Sequence, residues 1–185
     1  MEEFKKLDEL CKPDVRNTYW VKTDKITGKQ ESMTLENVYY AVDNIKLVGF
    51  VPKQIKSQFN IAKNLAVYTW FSYPFHQISE MKAYSTVESA LRCKVGKHKY
   101  GFKGMLNKAV KSGLVNGSGF KGLRNTASNS NDYSLILVES IPALRNELSH
   151  GSNMLHNDSL ITLEICCELI NQLFTNEANK TISIG

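Results

Sequence analysis

Seven consecutive residues, Arg145-Asn146-Glu147-Leu148-Ser149-His150-Gly151, place a permanent cation, an amide and an imidazole within about two helical turns. Those groups suit work on a phosphodiester. A guanidinium holds phosphate oxygens through a bidentate fork. An imidazole exchanges protons near neutral pH, and the amide can orient it or donate to the phosphate. On a helix, the step of about 100° per residue puts Leu144 and Leu148 on one inward face. Asn146 and His150 then share a face about 160° to 200° away. Arg145 lies between the two, and its long side chain can swing toward the Asn146–His150 side. One helix would thus present all three groups to a single phosphate.

Charge is distributed unevenly around this heptad. From Ser89 to Asn131 there is no Asp or Glu, while Arg92, Lys94, Lys97, Lys99, Lys103, Lys108, Lys111, Lys121 and Arg124 all fall inside. That segment carries +9 against a whole-chain charge of +5, so the remainder sums to 5 − 9 = −4. The asymmetry points to an anionic partner, with nucleic acid the leading class and Lys97, Lys99 and Lys103 the candidate phosphate contacts. A solvated basic loop without a partner would carry the same charges.

The surrounding pattern is helical from Thr34 onward, with Thr34 as N-cap, Val38, Val42, Ile45 and Leu47 at roughly helical spacing, and Gly49 as the close. Pro52 suits the first residue of the next helix. The stretch from Lys53 to Val95 stays helix-compatible, with a kink or break expected near Ser72-Tyr73 because of Pro74. The aromatics Tyr68, Trp70, Phe71, Tyr73 and Phe75 around it exceed what one core-facing stripe uses, so some are expected to face a second subunit. A short helix is expected over Phe102 to Leu114, then a Gly-, Ser- and Asn-rich loop from Asn116 to Asn131. Asp132 is expected to cap a helix reaching His150, with a bend at Pro142 and a stop at Gly151. Asn157 or Asp158 would start a last, central helix whose stripe is Leu160, Leu163, Cys167, Ile170 and Phe174, broadened by Ile161, Ile165 and Leu169. Before Thr34 the reading is a short amphipathic helix over Glu2 to Cys11 and strand-like residues from Tyr19 to Thr23, with Gly28 at a turn. The sum is an all-α bundle of four or five main helices over residues 34–175, an N-terminal elaboration over 1–33, a basic Gly-rich insertion and a frayed tail over 176–185.

The heptad is similar to the Arg-x4-His signature of the HEPN superfamily (higher eukaryotes and prokaryotes nucleotide-binding domain), in its Arg-Asn-x-x-x-His form. Leu144 to Gly151 carries the resemblance most strongly, and it extends over roughly Thr34 to Phe174. Upstream, Val87-Glu88-Ser89-Ala90-Leu91-Arg92 resembles a segment of bacterial HEPN-like proteins in which an acidic residue pairs with or supports the motif. Glu88 and Arg92 also fit an ordinary i,i+4 surface pair. The resemblance implies a HEPN-like bundle and a metal-independent endoribonuclease acting as a homodimer, with two motifs meeting across a cleft. The RNA 2′-hydroxyl would attack the adjacent phosphate, with His150 as general acid or base, Arg145 stabilising the phosphorane charge and Asn146 positioning. Such proteins occur in toxin–antitoxin, abortive-infection and RNA-processing systems, so an antitoxin or defence-system partner is a further expectation. Some members are non-catalytic modules that bind RNA or nucleotide, or serve as partner subunits, and that alternative stays open.

Other chemistry is thinner. Cys11, Cys93, Cys166 and Cys167 show neither a zinc spacing nor a disulfide framework and read as small core residues. No cofactor or metal is expected. His76 reads as a satisfied interior or interface residue, His98 as part of a basic surface and His156 as a loop residue. No apolar run is long enough to span a bilayer and no signal peptide is evident, so a cytoplasmic location without membrane contact is expected.

Overall fold

In a computed structural model, described over residues 2–121, 130–151 and 159–182 (side chains over 2–121, 133–151 and 159–175), the helical signals resolve into an all-α architecture. Among the described residues there are six α-helices: α1 (Leu35–Asp43), α2 (Lys53–Tyr68), α3 (Phe75–Val95), α4 (Gly101–Lys111), α5 (Ser130–Ser149) and α6 (Ser159–Ile182). The strands β1 (Val21–Thr23) and β2 (Gln30–Ser32) form one small antiparallel hairpin with Val21 opposite Ser32. Gly28, at φ 71°, lies in its turn, as the sequence suggests.

Local signals explain most boundaries. The Thr34 hydroxyl accepts from the Asn37 N–H at 3.2 Å, and Asn37 Oδ1 accepts from the Thr34 N–H at 3.1 Å, a reciprocal cap on α1. That helix ends at Asp43, earlier than the apolar spacing suggests. Ile45 still reaches the core from the following turn, so the apolar pattern recorded burial rather than helix length. Pro52 caps α2 with extended ψ, and Lys53 is its first helical residue. Pro74 produces a break: α2 stops at Tyr68 and α3 starts at Phe75.

The core is organised around α3, which packs against α2, α4, α5 and α6. Ala83, Val87, Ala90 and Leu91 of α3 are completely buried, and the two alanines let neighbouring helices approach closely. On α6 the buried face holds Leu163, Cys167, Leu169, Ile170 and Phe174 as expected, and also Cys166 and Leu173. Ile161 is a correction, since it is 53% exposed. Cys11 and Cys93 are corrections too, being exposed, while Cys166 and Cys167 are core residues. Burial pushes the Cys167 thiol up to about 11, so it behaves as a small apolar group rather than a nucleophile.

The N-terminal segment differs most from its sequence reading. Glu2 to Cys11 forms only a 3₁₀ turn at Leu7–Glu9, with Phe4 and Leu7 in solvent. The following residues instead dock on the α2–α3 connection. Asp14 N–H donates to Trp70 C=O at 2.8 Å, and Asn17 Nδ2 donates to the carbonyls of Thr69 and Trp70. Asp14 Oδ2 accepts from the Tyr73 N–H at 3.0 Å, and Arg16 lies 4.7 Å from the Tyr73 ring centroid. The aromatic cluster is therefore partly covered from within the chain, and it spans the end of α2, the connecting turns and the start of α3 rather than one helix. Tyr68 and Phe75 remain exposed.

Asp14 is the anchor of this docking. Burial alone would raise its pKa, but hydrogen bonds from the Arg16 side chain and from the Tyr73 and Arg16 N–H groups outweigh that and hold it well below the usual carboxylate range. A depressed folded pKa means the stabilisation is complete above the unfolded value of about 3.9 and fades as pH falls below it. Asp14→Asn should lower stability by about 2 kcal/mol at neutral pH, a figure reduced from the fully buried case because Arg16 is one-third exposed. Urea denaturation at pH 7 and pH 3 checks this. The gap between the two proteins should shrink in acid, and equal midpoints at pH 7 would contradict the anchoring role.

Candidate functional site

The motif closes α5 as its sequence implies. Leu144 and Leu148 pack against the core, while Asn146 and His150 are exposed, so the leucine seam and the amide–imidazole side face opposite ways. His150 N–H donates to Asn146 C=O at 3.0 Å, and Gly151 follows at φ 82°, the left-handed stop expected of it. Pro142 sits inside α5 and is buried, where its missing N–H leaves one helical bond unmade. Asp132 is no cap, because α5 already includes Ser130. Arg124, His156, Asn157 and Asp158 lie outside the described residues.

A four-residue chain of polar contacts runs across the two helices that meet here. Arg145 Nη1 donates to Asn146 Oδ1 at 3.1 Å, and Arg145 Nη2 donates to Glu88 Oε2 at 2.9 Å. Arg92 Nη2 donates to the other oxygen, Glu88 Oε1, at 3.1 Å. Glu88 thus spans the i,i+4 pair expected on α3 and an ion pair to α5, 57 residues away in sequence. The Glu88 carboxylate is only 16% exposed, whereas Arg145 is 33% and Arg92 53% exposed. A carboxylate held between two guanidiniums fixes Arg145 on the surface and leaves part of its five-donor fork unspent. With its oxygen engaged, the Asn146 amide presents its NH2 donors outward. His150 is exposed, and among the described residues no hydrogen bond ties its ring to another side chain, which leaves both nitrogens accessible to a ligand.

The basic segment wraps the neighbouring end of the bundle. Lys103 on α4 pairs with Glu139 on α5, six residues and about 9 Å of helical rise before Arg145. Lys99 lies 4.8 Å from the Tyr100 ring centroid, and Lys108 Nζ donates to Val95 C=O at 2.8 Å. Lys97 is exposed. The tract from Asn116 is better anchored than a plain loop: Asn116 caps a 3₁₀ turn at Gly117–Gly119, and Phe120 is buried at 1% exposure. That Phe120 contributes to the core was invisible in a run dominated by Gly, Ser and Asn.

Two histidines resolve in different ways. His76 Nδ1 and Ser159 Oγ are 2.7 Å apart, and the His76 ring meets Tyr73 edge-on at 4.9 Å, a satisfied, half-buried position. The His98 ring is half-buried against Gly104, where a Cβ would collide with it, and so it belongs to the packing of α4 as well as to the basic surface. Among the described residues no group of three His, Cys, Asp or Glu side chains could hold a metal ion, and no described helix is long and apolar enough to cross a membrane. No family model, curated protein or solved structure matches the chain.

Proposed function

We propose that this chain is a HEPN-type endoribonuclease that cleaves RNA by 2′-hydroxyl attack, with Arg145, Asn146 and His150 as its reacting groups. The observation that carries the reading is the 2.9 Å Glu88–Arg145 ion pair. Two segments that each resemble HEPN sequences, far apart along the chain, meet at the cation of the motif. Glu88 positions Arg145, and Arg92 shares that carboxylate. In the reaction His150 moves the proton, Arg145 takes up the charge developing on the phosphorane, and Asn146 donates to a phosphate oxygen. Lys97, Lys99 and Lys103 attract the RNA backbone. A role as a toxin or phage-defence factor, with an antitoxin as partner, follows from the same resemblance. Incubation of RNA with purified protein in excess chelator tests the activity: cleavage that persists supports it, and intact RNA across structured and unstructured substrates contradicts it.

A second reading is favoured by one feature of the same contacts. Arg145 is already held by Glu88 and Asn146, which also suits a non-catalytic module that binds RNA or nucleotide, or serves as a scaffold subunit. Both readings include a homodimer, and only the first includes cleavage that depends on His150.

The face that would meet a second copy is on α5. Ile136, Ala143 and His150 recur at spacings of seven along one exposed side of α5, with Ile136 59% exposed. Pairing two such seams covers the apolar residues and brings two motifs to one groove. Sedimentation at tens of micromolar should therefore give twice the 20.9 kDa chain mass. A strictly monomeric mass would remove the composite site.

The basic segment makes its own prediction. Neutralising Lys97, Lys99 and Lys103 together should weaken RNA binding and flatten the dependence of log K on log salt by roughly two to three units, since each phosphate contact releases about 0.7 to 0.9 of a counterion. An unchanged slope would make the segment a solvated surface only.

A further inference from the structure

Beside the motif lies a second feature that the phosphodiester chemistry does not use. A hollow of about 440 Å³ opens between α4 and α5, within the size range of small-ligand sites. Leu135 and Val138 of α5 and Gly104 of α4 give it an apolar lining, and Tyr100 stands at its edge. Tyr100 is 68% exposed. Its backbone is nevertheless held: Tyr100 N–H donates to His98 Nδ1 at 3.2 Å, and the His98 ring is seated where a Cβ at Gly104 would otherwise go. Gly101, at φ 58°, then turns the chain into α4 in a conformation that side chains rarely adopt. An exposed ring on an ordered turn is pre-organised for stacking.

The polar groups around the hollow fit a heterocycle. Asn107, half-buried in its lining, has no hydrogen-bond partner among the described residues and offers a donor and an acceptor side by side. The Lys103–Glu139 ion pair stands at the same hollow, adding a cation and a carboxylate acceptor. Lys97 and Lys99 flank Tyr100 in the segment without acids, so the surroundings complement a phosphate chain rather than an acidic-poor or neutral peptide. The Lys99 ammonium lies over the Tyr100 ring, a flexible cover that an arriving base displaces.

We propose that this hollow binds one unpaired nucleobase of single-stranded RNA, stacked on Tyr100 and hydrogen-bonded at its edge by Asn107. The proposal rests on RNA being the ligand of the chain and adds the form in which it is read: an unstacked base rather than a duplex. The Lys103–Glu139 pair, about 9 Å along α5 from Arg145, would place that base near the motif without touching the reacting atoms.

The test is binding of a fluorescent 2′-O-methyl RNA 12-mer, which lacks the 2′-hydroxyl nucleophile, to the full chain and to Tyr100→Ala, Tyr100→Phe and Asn107→Ala, with the matching duplex and mononucleotides alongside. Tyr100→Ala should weaken single-strand binding roughly ten- to hundredfold. Its salt slope and thermal midpoint should stay those of the wild type, because stacking involves no counterion and the ring is exposed. Tyr100→Phe should bind as wild type, Asn107→Ala should bind more weakly, and duplex binding should be insensitive to Tyr100. Equal single-strand affinity of wild type and Tyr100→Ala would overturn the base site and leave the ribonuclease reading standing. Absence of any RNA binding would overturn both. Mononucleotides that bind as tightly as the 12-mer, with the same dependence on Tyr100, would overturn the strand as occupant and assign the hollow to a free nucleotide.

Discussion

His150→Ala should lower the rate of RNA cleavage by about 10²- to 10⁴-fold while RNA affinity changes little. That range is the usual contribution of a positioned general acid or base. The side chain is exposed at the end of α5, and no hydrogen bond joins it to a described neighbour, so its removal leaves no buried group unsatisfied. The folded state should therefore survive the change, and a loss of turnover can be read as lost chemistry. The imidazole's proposed role is proton transfer rather than grip on the ground-state phosphate, which is why affinity and rate should separate. Single-turnover cleavage with protein in excess, paired with anisotropy binding, measures both. Equal cleavage by wild type and variant would remove His150 from the reaction and leave the binding-module reading in its place.

Arg145→Ala carries the second large effect. Removing a cation aimed at charge that develops in the transition state costs about 10²- to 10³-fold in rate, by comparison with loss of one oxyanion donor. Here the substitution also strips Glu88 of one of its two guanidinium partners, leaving a carboxylate only 16% exposed with Arg92 alone. Some loss of stability is thus expected beside the loss of rate, and the two must be separated. Glu88→Gln does this. It keeps the shape of the side chain and weakens the hold on Arg145 without deleting the guanidinium, so its rate should fall less than that of Arg145→Ala. If Glu88→Gln and Arg145→Ala lose stability alike but Glu88→Gln cleaves at the wild-type rate, the ion pair is structural and the positioning role of Glu88 is lost. If Arg145→Ala cleaves as wild type, the motif is not the site.

How much of this could be read in advance depended on the range of the interaction involved. The Thr34 cap, the break at Pro74 and the stop at Gly151 arise from a residue and its neighbours within a turn or two, and each lies where its chemistry requires. The opposition of Leu144 and Leu148 to Asn146 and His150 follows from helical geometry alone. Contacts closed by distant parts of the chain leave no such local mark. Asp14 is buried because the main chain at residues 70 and 73 offers it partners, and nothing near Asp14 in sequence signals that. The aromatics from Tyr68 to Phe75 are partly covered by residues 14–17, a docking that no local signal in either segment announces. Ile161 follows the apolar spacing of α6 yet faces outward, since periodicity identifies a stripe but not its edges. The Glu88–Arg145 pair was half legible: α3 and α5 each carried a recognisable segment, but their meeting depends on tertiary packing. The hollow at Tyr100 and Asn107 had no sequence signal beyond an aromatic among lysines.

The most direct measurement of the central claim is the chemistry of the RNA ends left by the wild-type chain in excess chelator, with His150→Ala run beside it. Attack by the 2′-hydroxyl leaves a 2′,3′-cyclic phosphate on one fragment and a 5′-hydroxyl on the other. The account predicts those ends from the wild type and their loss in the variant. Fragments ending in 3′-hydroxyl and 5′-phosphate, or cyclic-phosphate ends produced equally by His150→Ala, would contradict it.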